Sequence, residues 1–215
     1  MQAVIFDRDG VIVNSELCNI NSVTNAFKKL NVDISEEDKK YVVAKHPADY
    51  QKYFQDQYDF SYDEFRKIQS KEYHKLINNV KPIEFAVSLI NDLHTKGVTL
   101  ALATSSSMRS TTKVLTNTGL NDVFKEVVTF DDCDKRKPDP ESYLLTARKL
   151  GVEPNECVVF EDSGVGLVAA KAAGMKCIVI PNEYTKDHDF SGADLIVNSA
   201  SEITLEVLNN LPAFA

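Results

Sequence analysis

The sequence lacks several features that would place it in a specialised class of protein. It has no tryptophan, no long apolar segment and no basic excess, with a formal net charge of −8 and a pI of about 5.1. Without a broad basic field, neither nucleic acid nor an anionic membrane is an expected partner. The cysteines include no C-x-x-C pair, so neither a zinc site nor a disulfide framework is indicated. They are Cys18, Cys133, Cys157 and Cys177.

The amino terminus also lacks a recognisable targeting signal. Met1 is followed almost directly by Val4-Ile5-Phe6, with no basic start and too few apolar positions for a secretory peptide. Together with the unpaired cysteines, this start predicts a cytoplasmic protein. The chain has 215 residues, of which 43% are hydrophobic, enough for one good core plus an accessory module.

Short apolar runs alternate with helix-sized stretches after about residue 83. The runs are rich in β-branched residues and bounded by turn formers, as buried parallel strands are. They cover residues 98–103, 126–129, 157–160, 176–180 and 195–197, after a first run at 3–6. Helices are predicted over 85–96, 109–117, 140–150 and 165–173. This alternation predicts an α/β fold with a doubly wound, mostly parallel, Rossmann-like sheet.

Residues 15–80 interrupt this alternation with a pattern that is helical only. Leu17, Ile20, Val23 and Phe27 share one helix face, and the sequences S-E-E-D at 35–38 and S-Y-D-E at 61–64 resemble capping boxes. We therefore predict a small all-helical cap at 15–80, inserted after the first strand. The α/β core would comprise residues 1–14 and 81–215.

Polar residues follow the predicted strands where each strand ends. Ligands of such sheets bind beyond the carboxyl ends of the strands, near the point where strand order reverses. One edge of the sheet is therefore expected to collect carboxylates, hydroxyls and a lysine. These are Asp7, Asp9 and Gly10 after the first strand, Thr104 to Ser107 after the second, Lys137 in the loop after the third, and Glu161 to Gly164 after the fourth.

These residue types suit the transfer of a phosphoryl group. Carboxylates from two strand ends can hold a hard divalent cation such as Mg²⁺, which prefers oxygen ligands. Hydroxyls and N–H groups at a helix start suit phosphate oxygens, and a lysine offsets the negative charge of the transition state. One carboxylate can serve as the nucleophile and a second as the general acid and base.

Four segments resemble, in order and spacing, the motifs of the haloacid dehalogenase (HAD) superfamily. They are D-R-D-G at 7–10, A-L-A-T-S at 101–105, R-K-P-D-P at 136–140 and V-V-F-E-D-S at 158–163. With its helical insertion, the chain resembles the branch that contains β-phosphoglucomutase and the sugar-phosphate phosphatases, over essentially its whole length. The resemblance implies Mg²⁺-dependent hydrolysis of a small phosphorylated metabolite, expected to be a sugar phosphate, through an aspartyl-phosphate intermediate.

The same resemblance implies a role for each matching residue. Asp7 would be the nucleophile and Asp9 the acid and base, with Gly10 allowing a sharp turn beside the phosphate. Thr104 and the Ser105 backbone N–H would bind the transferring phosphoryl group, and Lys137 would bridge that group and the nucleophile. Mg²⁺ would be held by Asp162, the Asp7 side chain and the Asp9 carbonyl, with Glu161 as a direct or water-mediated ligand.

The chain departs from the usual motif at two positions. Arg8 lies where an apolar residue is common, and Asn14 where aspartate is common. We interpret Arg8 as part of a surface salt bridge, with an influence on substrate choice as the other possibility. In the predicted cap, Lys45 and His46 are candidates for contact with substrate.

Four other interpretations remain open at this point. A mutase would use the same residues but keep water out, in the manner of β-phosphoglucomutase. Gly164, Gly166 and Ala169 fit G-x-G-x-x-A, which would make the chain a dinucleotide-dependent oxidoreductase, although Glu161 and Asp162 would repel a pyrophosphate. The fold could also serve a non-catalytic phosphate-binding module. D-x-D-G can begin a calcium loop, but Cys18 stands where that loop needs glutamate. We predict a phosphatase that acts on a small phosphate ester as a monomer.

Overall fold

A computed structural model describes residues 1–43, 45 and 47–211. Its central element is a six-stranded parallel sheet with the strand order β3-β2-β1-β4-β5-β6. The strands are β1 (Ala3–Phe6), β2 (Thr99–Ala103), β3 (Glu126–Val128), β4 (Cys157–Glu161), β5 (Lys176–Val179) and β6 (Leu195–Ile196). The predicted doubly wound, Rossmann-like α/β fold is confirmed.

Helices connect the strands and also form the insertion after β1. They are α1 (Glu16–Lys29), α2 (Glu36–Tyr41), α3 (Pro47–Gln55), α4 (Tyr62–Ile77), α5 (Glu84–Thr95), α6 (Met108–Thr118), α7 (Glu141–Leu150), α8 (Gly164–Ala172) and α9 (Leu205–Asn209). Capping side chains mark where several of them begin. The side chain of Ser107, for example, caps α6 by accepting a hydrogen bond from the Ser110 N–H.

The sheet is buried because its strands carry apolar residues on both faces. Ala3 and Ile5 of β1 lie in one hydrophobic cluster with Tyr143 and Ala147 of α7 and with residues of α8. Phe6 points to the opposite face, as the alternation of a strand requires, and stacks on Phe160 with ring centroids 4.7 Å apart. Burial on both faces is typical of parallel sheets, because the helices that connect their strands cover both faces.

The strand order reverses between β1 and β4. The two strands pair in register, and the Asp7 N–H continues the ladder by donating to the Phe160 carbonyl at 2.9 Å. The residues after β1 and those after β4 therefore leave the sheet side by side. This topological switch point is where a sheet of this order binds its ligands.

The chain divides into two compact units, one of Met1–Asn14 with the chain from Lys81 onward, and one of Ser15–Val80. The second unit consists of α1–α4 around an aromatic cluster in which the Phe27 ring contacts those of Phe54, Phe60 and Phe65. The Ser35–Asp38 capping box forms at the start of α2. Among the described residues, no helix has the length and apolar character needed to span a membrane.

Candidate active site

Asp7 is the first residue after β1 and lies buried at the switch point. Its Oδ1 accepts a hydrogen bond from Lys137 Nζ at 2.6 Å. The lysine comes from the loop before α7, so the fold joins residues that are 130 positions apart in the chain. A buried ion pair of this kind needs further partners to offset the loss of hydration.

Lys137 finds those partners in Glu161 and Tyr143. Its Nζ also donates to Glu161 Oε1 at 2.7 Å, to the Tyr143 hydroxyl at 2.8 Å and to the Ala103 carbonyl at 3.2 Å. The Tyr143 hydroxyl in turn donates to Glu161 Oε1 at 2.6 Å. The ammonium group is thus held in a single position beside Asp7.

Glu161 uses both carboxylate oxygens within the protein. Oε1 accepts from Lys137 and Tyr143, while Oε2 accepts from the Ser163 hydroxyl at 3.0 Å. A Cβ at Gly166 would overlap this carboxylate, which explains the glycine in the first turn of α8. Gly166, one of the glycines that fit a dinucleotide-binding sequence, therefore makes room for an anion of the protein itself.

The electrostatics of the cluster are dominated by buried negative charge. Burial raises the pKa of Asp7 to about 7 and raises that of Asp162 well above its usual range, and neighbouring carboxylates add to both shifts. Burial opposes ionisation of Glu161 as well, but the Lys137 charge brings the Glu161 pKa below its usual value. Burial acts against Lys137 too, yet Asp7 and Glu161 raise its pKa.

The carboxylates fit a divalent metal ion. Asp7, Glu161 and Asp162 are all buried, and each offers an oxygen within 4.8 Å of the others. When they are ionised, one lysine balances only one of three negative charges, so a divalent cation would neutralise the rest. Hard carboxylate oxygens are the ligands that Mg²⁺ prefers. The raised pKa values of Asp7 and Asp162 come from burial and from neighbouring carboxylates, and a nearby cation would favour the ionised form of both.

Asp162 is oriented by its surroundings. Its Oδ2 accepts a hydrogen bond from Asn182 Nδ2 at 2.7 Å, from the loop after β5. Gly10 has a φ of +76°, and a Cβ at that position would overlap the Asp162 carboxylate. Glycine is therefore needed at position 10 both for backbone conformation and for the approach of Asp162.

Asp9 lies against the loop that follows β2. Its Oδ2 accepts from the Ser106 hydroxyl at 2.8 Å and from that of Thr104 at 3.4 Å. Thr104 is buried and also accepts a hydrogen bond from the Ser106 N–H. The structure thus brings the predicted acid and base next to the predicted phosphoryl-binding residue.

Arg8 corrects an expectation from the sequence. It does not form a surface salt bridge, because its side chain is 0% exposed. Arg8 Nη2 donates to Asp9 Oδ1 at 2.6 Å, and Nη1 donates to Ser110 Oγ at 2.8 Å. The backbone just after β1 places the Arg8 side chain against Ser106 and Ser110 near the start of α6, a contact that the sequence D-R-D does not reveal.

The remaining predicted site residues are Ser105, Lys45 and His46. Ser105 is exposed in the loop after β2. Lys45 is exposed and lies over the Tyr41 ring at 4.4 Å, within the helical unit. His46 lies outside the described residues. The roles of all three stay predictions.

Sequence reasoning missed Tyr143, Asn182 and Ser106. Tyr143 carries no signal of its own, because a tyrosine inside an amphipathic helix reads as a core residue. Asn182 follows a strand end, as the predicted site residues do, and that position could have suggested it. Ser106 lies in the predicted Thr104–Ser107 cluster but was not singled out.

The fold and the site define a Rossmann-like α/β enzyme with an acidic centre at the switch point of the sheet. This centre consists of the buried carboxylates of Asp7, Glu161 and Asp162. The chain belongs to the haloacid dehalogenase-like hydrolase family, whose model matches residues 4–180. The predicted superfamily resemblance is therefore confirmed, and the chain is an enzyme of this hydrolase family.

Relatives cover nearly the whole chain. Hexitol phosphatase B of Escherichia coli (strain K12) is 32% identical over 96% of each chain. YhcW of Bacillus subtilis (strain 168) is 32% identical over 97% of this chain and 96% of its own. The crystal structure of CbbY from Rhodobacter sphaeroides in complex with phosphate is 26% identical, with a TM-score of 0.86 over 97% of this chain and 99% of that one. A CbbY variant in complex with xylulose-(1,5)bisphosphate gives a TM-score of 0.82, at 26% identity over 94% and 96%.

Proposed function

We propose that this enzyme is a Mg²⁺-dependent phosphatase that hydrolyses a phosphorylated sugar or polyol through an aspartyl phosphate on Asp7. The observation that carries the proposal is the contact between Asp7 and Lys137, made at the switch point beside Glu161 and Asp162. A nucleophilic carboxylate flanked by a fixed cation and a metal-binding carboxylate is what phosphoryl transfer requires.

The reaction has two steps. In the first, the Asp7 carboxylate attacks phosphorus, the bond from phosphorus to the ester oxygen breaks, and Asp9 gives its proton to that oxygen. In the second, water attacks the phosphorus of the aspartyl phosphate and gives a proton to Asp9, which frees Asp7 and inorganic phosphate. General acid and base catalysis of this kind contributes roughly 10²- to 10⁴-fold.

Other residues hold the reacting group. Lys137 balances charge on the phosphoryl oxygens from its fixed position, and Thr104 with the Ser105 N–H binds those oxygens.

The metal ligands would be Asp7, Asp162 and the Asp9 carbonyl. Glu161, whose oxygens already accept bonds from Lys137, Tyr143 and Ser163, contributes mainly by holding Lys137. When bound, Mg²⁺ favours the ionised form of Asp7 and draws negative charge from the phosphoryl group.

The substrate class is inferred from the relatives. A hexitol phosphatase and a protein crystallised with a sugar bisphosphate both suggest a polyhydroxylated phosphate ester. We assign the choice of substrate to the helical unit, Ser15–Val80. Within this unit, we propose Lys45 and His46 as the residues that contact the substrate. The proposal includes a small-molecule substrate, a monomeric enzyme and a cytoplasmic location.

A panel of phosphate esters tests the proposal. With Mg²⁺, wild-type protein should release phosphate from hexitol and pentulose phosphates, and Asp7→Asn should release none because the nucleophile is lost. Chelation of Mg²⁺ should stop turnover reversibly. No release from any sugar or polyol phosphate, p-nitrophenyl phosphate or acetyl phosphate would overturn the proposal.

The same assay separates hydrolase from mutase. With a hexose 1-phosphate, a phosphatase yields free phosphate, whereas a β-phosphoglucomutase-type enzyme yields the 6-phosphate. We expect free phosphate, since the curated relatives named above include a hexitol phosphatase.

A further inference from the structure

Arg8 is a buried cation that stands between Asp7 and Asp9 in the sequence. No part of its side chain is exposed, so it does not contact a substrate directly. An apolar residue could fill this place without the cost of burying a charge. The guanidinium group therefore has a function that its polar contacts should reveal.

The contacts of Arg8 divide into two sets. Nε and Nη2 donate to Asp9 Oδ1 at 3.2 and 2.6 Å, and Nη2 also donates to Ser106 Oγ at 2.6 Å. Nη1 donates to Ser110 Oγ at 2.8 Å and to Thr111 Oγ1 at 3.3 Å. One side of the planar group thus faces Asp9, while the other is anchored in the first turns of α6.

These contacts fix the carboxylate of Asp9 from two directions. Oδ1 is held by Arg8, and Oδ2 accepts from Ser106, which Arg8 also binds. The Asp9 side chain nevertheless remains 34% exposed, so a leaving oxygen can still reach it. Because Arg8 is planar and carries several donors, it can hold one orientation that a single ammonium group cannot.

We propose that Arg8 is a positioning residue that orients the Asp9 carboxylate for proton transfer to the leaving oxygen. The inference rests on the proposed phosphatase function and deepens it. Its contacts with Asp9 mean that Arg8 acts through this carboxylate, which exchanges a proton in both steps. Only the first step, in which the leaving oxygen takes the proton, depends on the alcohol of the ester.

The test compares two esters that differ in their need for that proton. An alkyl phosphate such as a hexitol phosphate must receive a proton as its alcohol leaves, whereas p-nitrophenolate leaves without one. Arg8→Met should lower the ratio of kcat/KM for the alkyl ester to that for the aryl ester by about tenfold or more, within the range for a misplaced general acid. Arg8→Lys should have a smaller effect. Inhibition by inorganic phosphate should not change.

Controls separate positioning from damage to the fold. Arg109→Met removes an exposed arginine at the start of α6 and should leave the ratio unchanged. If Arg8→Met does not fold, the double variant Ser110→Ala/Thr111→Val removes the two Nη1 acceptors and should lower the ratio in the same direction. An unchanged ratio in active Arg8→Met, or in the double variant when it is the one that folds, would overturn the role of Arg8 alone. If wild-type protein hydrolyses no ester of the panel described under Proposed function, the phosphatase function and this role are overturned together.

Discussion

At the scale of single residues, the buried cluster around Lys137 combines stability with chemistry. Asp7 and Glu161 share its one ammonium group, and Tyr143 bridges Lys137 and Glu161 through its hydroxyl. Loss of one member leaves a buried charge or donor without its partner, which costs more than the bond itself contributes. The effect of a substitution here should therefore appear in both stability and turnover.

Tyr143→Phe removes only the hydroxyl of this cluster. We expect the free energy of unfolding to fall by about 1.5–3 kcal/mol, because the lost bond is to a charged group. Turnover should also fall, since Lys137 and Glu161 lose a shared partner. Urea unfolding and steady-state kinetics measure the two effects. Tyr41→Phe, a tyrosine of the helical unit, is the matched control, and equal effects of the two changes would contradict the expectation.

The sequence predicted this cluster only in part. Asp7, Glu161 and Asp162 follow strands, and parallel strands bring their carboxyl ends to one edge, so their convergence could be foreseen. The partners of these residues could not, because Tyr143 is internal to α7 and its hydroxyl finds Glu161 only through helix packing. Arg8 was predicted wrongly for the same reason. It is buried against Ser106 and Ser110, which lie 98 and 102 residues further along the chain.

At the scale of elements, α2 shows how a short helix is secured. Asp38 Oδ2 accepts hydrogen bonds from the Ser35 N–H and hydroxyl, both at 2.7 Å, and from the Tyr58 hydroxyl at 2.6 Å. Oδ1 accepts from the Tyr53 hydroxyl at 2.9 Å. The capping box could be predicted from four residues, whereas the two tyrosines that complete it come from later in the chain.

Asp38→Asn should destabilise the helical unit in a pH-dependent way. Burial works against the charge, but hydrogen bonds from Tyr58 and Ser35 bring the Asp38 pKa below its usual 3.8. Because the pKa is lower in the folded than in the unfolded state, ionised Asp38 stabilises the folded protein above pH 3.8. This stabilisation is lost as the pH falls through the folded-state pKa. At pH 7, the free energy of unfolding of Asp38→Asn should thus be about 1–3 kcal/mol lower than that of wild type.

Chemical denaturation at several pH values measures this difference. The gap in free energy of unfolding between Asp38→Asn and wild type should narrow below about pH 4, where the carboxyl group of the unfolded protein becomes protonated. Asp33→Asn changes an exposed carboxylate of the preceding loop and serves as the control. A gap of constant size down to pH 2 would contradict the argument.

At the scale of the whole molecule, the acidic centre should couple metal binding to stability. Mg²⁺ that binds only the folded protein stabilises it by about 2.7 kcal/mol at a concentration 100 times Kd. We therefore expect the melting temperature to rise with Mg²⁺, and the rise to be largely lost in Asp162→Asn. Asp187→Asn, an exposed carboxylate, is the control. An equal rise in Asp162→Asn and wild type would remove Asp162 from the metal site.

The path of the chain suggests that the α/β unit can fold without the insertion. Val13 and Pro82 form an antiparallel bridge, and the Ile83 N–H donates to the Ile12 carbonyl at 2.8 Å, so the chain leaves and returns side by side. The two hydrophobic clusters described above each draw on one unit only. Excision of residues 15–80 should thus remove a complete core and leave the other intact.

A protein in which a short Gly-Ser linker joins Asn14 to Lys81 tests this independence. We expect it to unfold cooperatively and to keep the Mg²⁺-dependent rise in melting temperature, because Asp7, Asp9 and Asp162 all lie in the α/β unit. It should still hydrolyse acetyl phosphate but lose its selectivity among sugar phosphates, which we assign to the helical unit. The full-length Lys45→Ala variant provides the comparison for substrate choice alone. Loss of acetyl phosphate hydrolysis in a linked protein that still binds Mg²⁺ would mean that the chemistry itself needs residues 15–80.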